Sequence, residues 1–340
     1  MWVQLFRFLL RRLAVSLPLV VAVVFVAFML VRIGGGDPVA LLAGPTASAQ
    51  EHAAIRKDLG LDKTLITQFV IYISKAAKGD LGQSWLSSQQ VTTEIAKRAV
   101  VTLELLLWGV IIGALVGVPL GARAAARRGS FFDQLVRAVS LAGFSIPTYW
   151  LGLIAILTFF YFLGLSPAPM GRLDATLIAP ERITGSYLID AILGRQWELA
   201  RSALSHLLLP VMTIAVVACA PIMKHTRAIA SEIVDSDFIR FARSSGLGER
   251  RIRGMVLRNS MVPVLTFVGT EIVGLLGTSA LIELIFSGGG IGQWGLQSIL
   301  NGDFAAIQGY VLFAALLSVV VFIVIDAANY LLEPRGRERI

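Results

Sequence analysis

The sequence has little charge for its length, since Lys, Arg, Asp and Glu make up 15% of the 340 residues and hydrophobic residues make up 56%. Together with a mean hydropathy of +0.76, this composition argues against a soluble globular domain. The single cysteine, Cys219, allows no internal disulfide. The three histidines, His52, His206 and His225, fall in separate regions without cysteine or carboxylate at ligand spacing, so no metal site is predicted.

Motifs for nucleotide chemistry are also lacking. No Gly-x-x-x-x-Gly-Lys-Ser/Thr loop occurs, so the chain is not expected to bind or hydrolyse ATP, and no cofactor is predicted. Residues 290–295 satisfy the dinucleotide pattern Gly-x-Gly-x-x-Gly, but no strand precedes them, which favours a turn. Residues 34–37 match the Gly-x-Gly-Asp of intramembrane aspartyl proteases. Pro38 follows them and no Tyr-Asp partner lies in another span, so a protease is only a remote alternative.

Long apolar stretches are abundant instead. A helix needs about 20 residues to cross roughly 30 Å of hydrocarbon. Six stretches qualify or nearly qualify, at about residues 11–32, 100–122, 135–163, 206–226, 263–286 and 309–332. The first is too long for a signal peptide and has no cleavage site of small residues after it, so we expect it to remain as an anchor. The sequence therefore predicts an all-α integral membrane protein with six transmembrane helices.

The basic residues predict the orientation of these helices, because Lys and Arg concentrate beside the cytoplasmic ends of membrane spans. Six spans place both termini on one side. The segments on that side hold 18 of the 30 basic residues and 7 acids, whereas the opposite segments hold 12 basic residues and 11 acids. Both termini are therefore expected in the cytoplasm. The formal net charge of +8 then reflects topology, and no nucleic-acid partner is needed to explain it.

One basic segment, residues 236–263, lies between two of the apolar stretches. Ser236 with Asp237 predicts a helix start, Phe238, Phe241, Ala242 and Ser245 share one face, and Gly246 predicts the end. A second short helix is expected after it, with Pro263 opening the next apolar run. The spacing alone is equally compatible with an ordinary cytoplasmic loop whose arginines follow the charge rule.

The order of short motifs resembles a known family, the dipeptide, oligopeptide and nickel permeases of ABC importers. Residues 238–247 and 257–263 resemble the cytoplasmic EAA loop of these permeases, although Arg240-Phe241 stand where the general signature has Glu-Ala. Other matches follow in order along nearly the whole chain, at residues 36–39, 59–63, 79–84, 102–105, 145–147, 171–174, 290–292, 302–304 and 326–335. The long loop after the first span resembles the first permease of the pair.

The resemblance implies a type I ABC importer permease fold and a non-catalytic subunit that transports a solute by alternating access. It implies that the loop contacts a separate ATPase through Phe238, Arg240, Phe241, Ala242, Gly246 and Leu247. The implied partners are a second homologous permease, two ATPase subunits that carry ATP and Mg²⁺, an external binding protein and the bilayer of the bacterial inner membrane. Peptides are the implied cargo, with nickel complexes, glutathione, opines and sugars still open.

Two further sets of residues within the membrane have predicted roles, one in helix packing and one in transport. Glycines recur every four residues in the second span, which predicts a smooth stripe for close helix packing, at Gly109, Gly113, Gly117 and Gly121. Glu271 and Asp326 lie deepest among the acids, and a charge in hydrocarbon is costly. Two interpretations stay open for these acids. Either they line a polar translocation path, or they are carboxylates that pair with a neighbouring helix or with water.

We divide the chain into two parts. Residues 1–98 hold the first span and an external loop, where an amphipathic helix is predicted from Leu65 to Ala76, and residues 99–340 hold a five-helix core with the coupling loop at 236–263. The competing non-enzymatic function is a stand-alone secondary transporter or channel. Such a protein would need its own coupling-ion site and usually an internal repeat, and neither is evident in the sequence.

Overall fold

The computed structural model describes residues 2–34, 39, 47–58 and 60–332, and these residues form mainly helices. In chain order the helices are α1 (Trp2–Gly34), α2 (Ala49–Asp58), α3 (Leu65–Ala76), α4 (Val91–Ala126), α5 (Phe131–Ser145), α6 (Thr148–Ala155), α7 (Tyr187–Leu193), α8 (Trp197–Val234), α9 (Asp237–Ser244), α10 (Glu249–Ile285), α11 (Ile291–Leu300) and α12 (Phe304–Leu332). Helix α6 continues directly as a π-helical stretch, Ile156–Phe162.

Five helices are long and apolar enough to cross a membrane, namely α4, α8, α10, α12 and the Leu10–Ile33 part of α1. Helix α5 and the α6 segment reach that length together, with a bend of 97° between them. Counted as one broken span, they bring the number to six, which confirms the predicted all-α membrane fold. We call the side with the α8–α10 connection the coupling side, and the other the loop side.

The third predicted span, residues 135–163, is therefore not one continuous helix. The break falls at Ser145-Ile146-Pro147, where Ile146 has an extended backbone with ψ of 123°. A proline ring disfavours the helical conformation of the residue before it, so the local sequence explains the break. The helix restarts directly after Pro147.

Helix α10 corrects a second expectation, because residues 249–285 form one helix and Pro263 lies inside it. The predicted second short helix does not exist as a separate element. Proline removes one backbone N–H, but Ser260 and Val264 on either side are both buried against the protein. Tertiary packing on both sides of the proline thus outweighs its local preference to begin a helix.

Helices α4 and α8 form the centre of the molecule. Leu106 and Val110 of α4 are buried with Ile214 and Ile222 of α8 in the largest apolar cluster. The glycine stripe of α4 lies along α8: a Cβ atom on Gly113 would stand 2.9 Å from the carbonyl oxygen of Ala215. Backbone contact this close is possible only because the glycines carry no side chain.

The loop side carries the long connection between α1 and α4. Helix α3 begins after Thr64, whose hydroxyl accepts a hydrogen bond from the Thr67 N–H, and it packs its aromatic side chains on α1. The Phe69 ring lies 4.9 Å from that of Phe25 and 5.5 Å from that of Phe28, centroid to centroid. Helix α4 begins at Val91 and runs across residue 98. The division of the chain into residues 1–98 and 99–340 stays a prediction.

Two of the short sequence motifs, residues 79–84 and 302–304, contact each other on the loop side. Asp303, which precedes α12, is 1% exposed, and its Oδ2 accepts hydrogen bonds from Ser84 Oγ at 2.6 Å and from the Trp85 N–H at 2.9 Å. Its Oδ1 accepts the Ala306 N–H and so caps the helix. The buried carboxylate fixes the chain before α4 to the start of α12.

Candidate functional site

The coupling-side connection forms a small, well-bounded helix. Helix α9 follows Ser236, which has an extended backbone, and ends before Gly246, whose φ of +80° lies in the left-handed region. The Gly246 and Leu247 N–H groups donate to the carbonyl oxygens of Arg243 and Ala242, at 3.0 and 3.1 Å, and close the last turn. The helix start and stop predicted from sequence match these positions.

One face of α9 is fixed to the membrane helices. Ile239 is fully buried in a cluster with Ile252 and Val256 of α10 and Ala230 of α8, and Ala242 is nearly fully buried as well. The predicted common face of Phe238, Phe241, Ala242 and Ser245 is therefore divided, because Ala242 points inward. This buried face packs α9 firmly against the ends of α8 and α10.

The opposite face of α9 is apolar and uncovered in this chain. Phe241 is 73% exposed and Phe238 is 43% exposed. Arg240 lies 3.5 Å from Asp237, and both side chains are largely exposed, so the pair contributes little to stability. Exposed aromatic side chains beside an arginine are typical of the residues that dominate protein interfaces.

Two ion pairs link the coupling ends of the spans, and neither was predicted from the sequence. Asp133 of α5 is 1% exposed. It accepts hydrogen bonds from the Arg227 guanidinium of α8, with Nη2 to Oδ2 at 2.9 Å, and from the Gly129 N–H. Arg128 Nη1 donates to Asp235 Oδ2 at 2.6 Å, where α8 ends. These contacts join sequence positions about a hundred residues apart, so no local pattern predicts them.

The two acids predicted for a translocation path have different surroundings. Asp326 of α12 is within 2.8 Å of Arg12 Nε of α1, an ion pair whose angle does not meet hydrogen-bond geometry. Glu271 is half-buried on α10, and among the residues described it makes no hydrogen bond or ion pair. No hydrogen bond joins the Glu271 and Asp326 side chains in that part of the chain.

The exposed side of α10 next to Glu271 is small and polar. Thr266, Thr270, Gly274 and Gly277 are exposed at helical spacing along it. A Cβ atom added to Gly274 or Gly277 would meet nothing within 4 Å. The stripe is thus open to a neighbouring helix or to water.

A buried carboxylate organises the loop-side end of α10. Glu283 is fully buried, its Oε1 accepts a hydrogen bond from Thr102 Oγ1 at 2.5 Å, and its Oε2 accepts the Gln293 N–H at 2.8 Å. A Cβ atom on Gly290 would lie 2.5 Å from the carboxyl carbon of Glu283. The glycine at position 290 is therefore required by close packing. The turn predicted for residues 290–295 is wrong, because Ile291–Leu300 form α11 and only Gly290 precedes the helix.

A second charged group closes the same end. The Arg172 Nη2 lies 3.3 Å from Glu104 Oε2, and its guanidinium stacks 3.9 Å above the Tyr187 ring. Burial lowers the pKa of the Arg172 guanidinium, and Glu104 and Tyr187 act in the opposite direction. The cavity beside them, of about 30 Å³, has room for a water molecule or two and none for a peptide.

Candidate sites for metal and protease chemistry gain no support. Across residues 2–34, 39, 47–58 and 60–332, no three His, Cys, Asp or Glu side chains are grouped to hold a metal ion. The protease-like motif at residues 34–37 lies, apart from the backbone of Gly34, outside the described residues.

Comparison with known proteins identifies the family. The model of the binding-protein-dependent transport system inner membrane component matches residues 117–338, and the model of its N-terminal region matches residues 5–106. The chain belongs to this family of permeases. It is thus a multi-pass inner-membrane subunit without catalytic activity of its own, and ATP hydrolysis belongs to partner proteins.

Curated relatives of this permease match over nearly their full length. The chain is 37% identical to the di/tripeptide transport system permease protein DppB of Pseudomonas aeruginosa, covering 98% of this chain and 99% of the relative. It is 34% identical to the dipeptide transport system permease protein DppB of Escherichia coli (98% and 99% covered) and 35% identical to that of Haemophilus influenzae (98% and 100% covered). The resemblance to the peptide-importer permeases is confirmed.

Proposed function

We propose that this permease is the first of two homologous membrane subunits in a bacterial importer that moves peptides into the cytoplasm. Two ATPase subunits, which carry ATP and Mg²⁺, and an external substrate-binding protein complete the proposed assembly in the bilayer. The peptide cargo rests on the names of the relatives, which are di/tripeptide and dipeptide permeases. Nothing in the residues calls for a nucleic-acid partner or for a cofactor bound by this chain.

The observation that carries this proposal is the exposed aromatic face of α9 on a rigidly anchored helix. We assign ATPase contact to Phe238, Arg240 and Phe241, and a positioning role to Ala242, Gly246 and Leu247. Ala242 is buried beneath the face, and Gly246 sets the turn with its left-handed backbone. Burial of Phe241 by an ATPase would remove a large apolar side chain from water.

The continuity of α10 supports a mechanical path from that surface to the loop side. Its 37 residues extend about 55 Å, from the helix end beside Ile239 to the buried Glu283. A partner shifts a two-state equilibrium only through contacts that differ between the states. Closure of the ATPases on α9 would therefore tilt α10 and move the connection at residues 286–290 between inward-open and outward-open states.

The proposal includes the orientation of the membrane spans and the residues of the translocation path. The basic residues around α9 favour a cytoplasmic coupling side, with both termini on that side. We propose that Glu271 and the open stripe beside it line the path. Asp326 would enter the path only as a carboxylate neutralised by Arg12.

Residues 1–98 would form a peripheral arm around the core of residues 99–340.

The test is transport by the reconstituted complex carrying Phe241→Ala or Gly246→Asp. Loss of the Phe241 side chain should lower uptake about ten-fold, because burial of such a side chain contributes ~1.5 kcal/mol or more. Gly246→Asp should have the same effect, since its φ of +80° disfavours any side chain. Membrane insertion and basal ATP hydrolysis should persist in both variants.

Phe131→Ala is the matched control, because Phe131 is 79% exposed on the coupling side and lies outside α9. Unchanged coupling in both α9 variants would contradict the assignment. Uptake by this chain alone, in liposomes without ATP or partners, would instead identify a secondary transporter or channel.

A further inference from the structure

A basic groove lies between α5 and α8 on the coupling side and has no part in the function proposed above. Its volume is about 650 Å³, within the range of small-molecule sites. The lining includes Gln134, Arg137, Ser140, Leu141, Lys224 and Arg227. Three cationic side chains thus converge between two membrane helices.

Two of these cations form no close ion pair within the described residues. Arg227 is paired with Asp133, whose oxygens are fully engaged by Arg227 and the Gly129 N–H. Arg137 and Lys224 are exposed, and neither forms a hydrogen bond or close ion pair with a carboxylate in the part of the chain that the structure covers, although Asp133 attracts Arg137 at longer range. Three cations beside the single carboxylate of Asp133 leave an excess of two positive charges in the groove, which is the electrostatic complement of an anionic ligand.

The groove is amphiphilic along the axis of α5. Helix α5 begins at the coupling side after Ser130, and Arg137 lies about two turns inside it. One and two turns deeper are Leu141 and Phe144, both exposed. The Lys224 ammonium lies 5.4 Å from the centroid of the Phe144 ring, at the boundary between charged and apolar parts. A ligand that fits both parts has an anionic head and an apolar tail.

We propose that this groove binds the headgroup of an anionic phospholipid from the leaflet on the coupling side. Arg137 and Lys224 would contact the phosphate, and acyl chains would run along Leu141 toward Phe144. Basic pockets between membrane helices on the cytoplasmic side are known binding places for such headgroups. The lipid would brace α8, whose end leads directly into α9, so its binding would influence coupling to the ATPases.

The test measures lipid retention by the intact transporter complex, purified in mild detergent, with native mass spectrometry. The probes are phosphatidylglycerol and phosphatidylcholine with identical acyl chains. The complex should retain phosphatidylglycerol preferentially. Each basic residue beside an anionic membrane surface strengthens binding about five-fold, so Arg137→Gln with Lys224→Gln should weaken retention roughly 25-fold.

Two variants provide controls. Arg195→Gln with Arg201→Gln removes the same charge from exposed positions on the loop side and should leave retention unchanged. Arg137→Lys with Lys224→Arg keeps the charge and should restore binding. Because Arg137 and Lys224 are exposed, the Gln variants should fold, which thermal unfolding of the same samples checks.

Four results would overturn the proposal. Equal retention of the two lipids, or unchanged retention in the double Gln variant, would exclude an anionic headgroup site. Displacement of the lipid by millimolar inorganic phosphate would identify a site for free anions. A photocrosslinker at Ala138, which lines the groove, should capture phospholipid. Capture of another polypeptide would show that a partner subunit covers the groove.

Discussion

Replacing Gly121 by Ala should force α4 away from α8. The new Cβ atom would lie 2.5 Å from the Met223 carbonyl oxygen, 2.9 Å from Thr226 Cβ and 3.0 Å from the Arg227 N. Two of these three atoms belong to backbone and cannot rotate aside. To reach ordinary van der Waals separation, the helices must part by at least about 0.5 Å, so packing along the stripe loosens.

The magnitude follows from two opposing terms. Overpacking of a close-packed interface costs about 1–3 kcal/mol, whereas Ala stabilises a helix interior over Gly by about 1 kcal/mol. We expect a net loss of up to about 2 kcal/mol, which is an increase in the unfolded fraction of up to roughly 30-fold. Gly113→Ala should cost less, because its closest approach to backbone is 2.9 Å.

The assay is reversible unfolding of the purified chain in mixed micelles, followed by circular dichroism. Gly254→Ala is the matched control, since Gly254 lies in α10 and a Cβ atom there would meet nothing within 4 Å. That variant should be as stable as the parent or more stable by up to about 1 kcal/mol. If Gly121→Ala is stabilised as much as Gly254→Ala, the inferred contact of α4 with α8 is refuted.

Two further predictions concern charged groups. Asp133→Asn should destabilise the chain by about 3 kcal/mol, because it leaves the Arg227 guanidinium without its buried partner. Equilibrium unfolding measures this loss, and replacing both residues by apolar ones should recover much of it; no recovery would contradict a pairwise origin. Glu271→Gln should alter uptake or the range of transported peptides while ATP hydrolysis continues, because an open carboxylate on the proposed path is lost. Unaltered uptake and range in competition assays would exclude the lining role.

Local sequence patterns determined the overall class of this protein. Apolar stretches of membrane-spanning length predict the helices, because the bilayer fixes the length that a helix must have. The boundaries of α9 are also local, since Ser236 begins the helix and Gly246 takes the left-handed backbone that ends it. The break at Ile146-Pro147 had a local signal as well, the restriction that proline imposes on its neighbour.

Only the tertiary structure decided which surfaces meet. The glycine stripe was visible in the sequence, but its partner α8 was not, because periodicity shows a face and not what covers it. Pro263 continues α10 because packing on both sides outweighs its local preference. Thr102 meets Glu283 from 181 positions away, and Asp133 meets Arg227 from 94. Such pairs depend on how the helices pack, and that arrangement is a property of the whole chain.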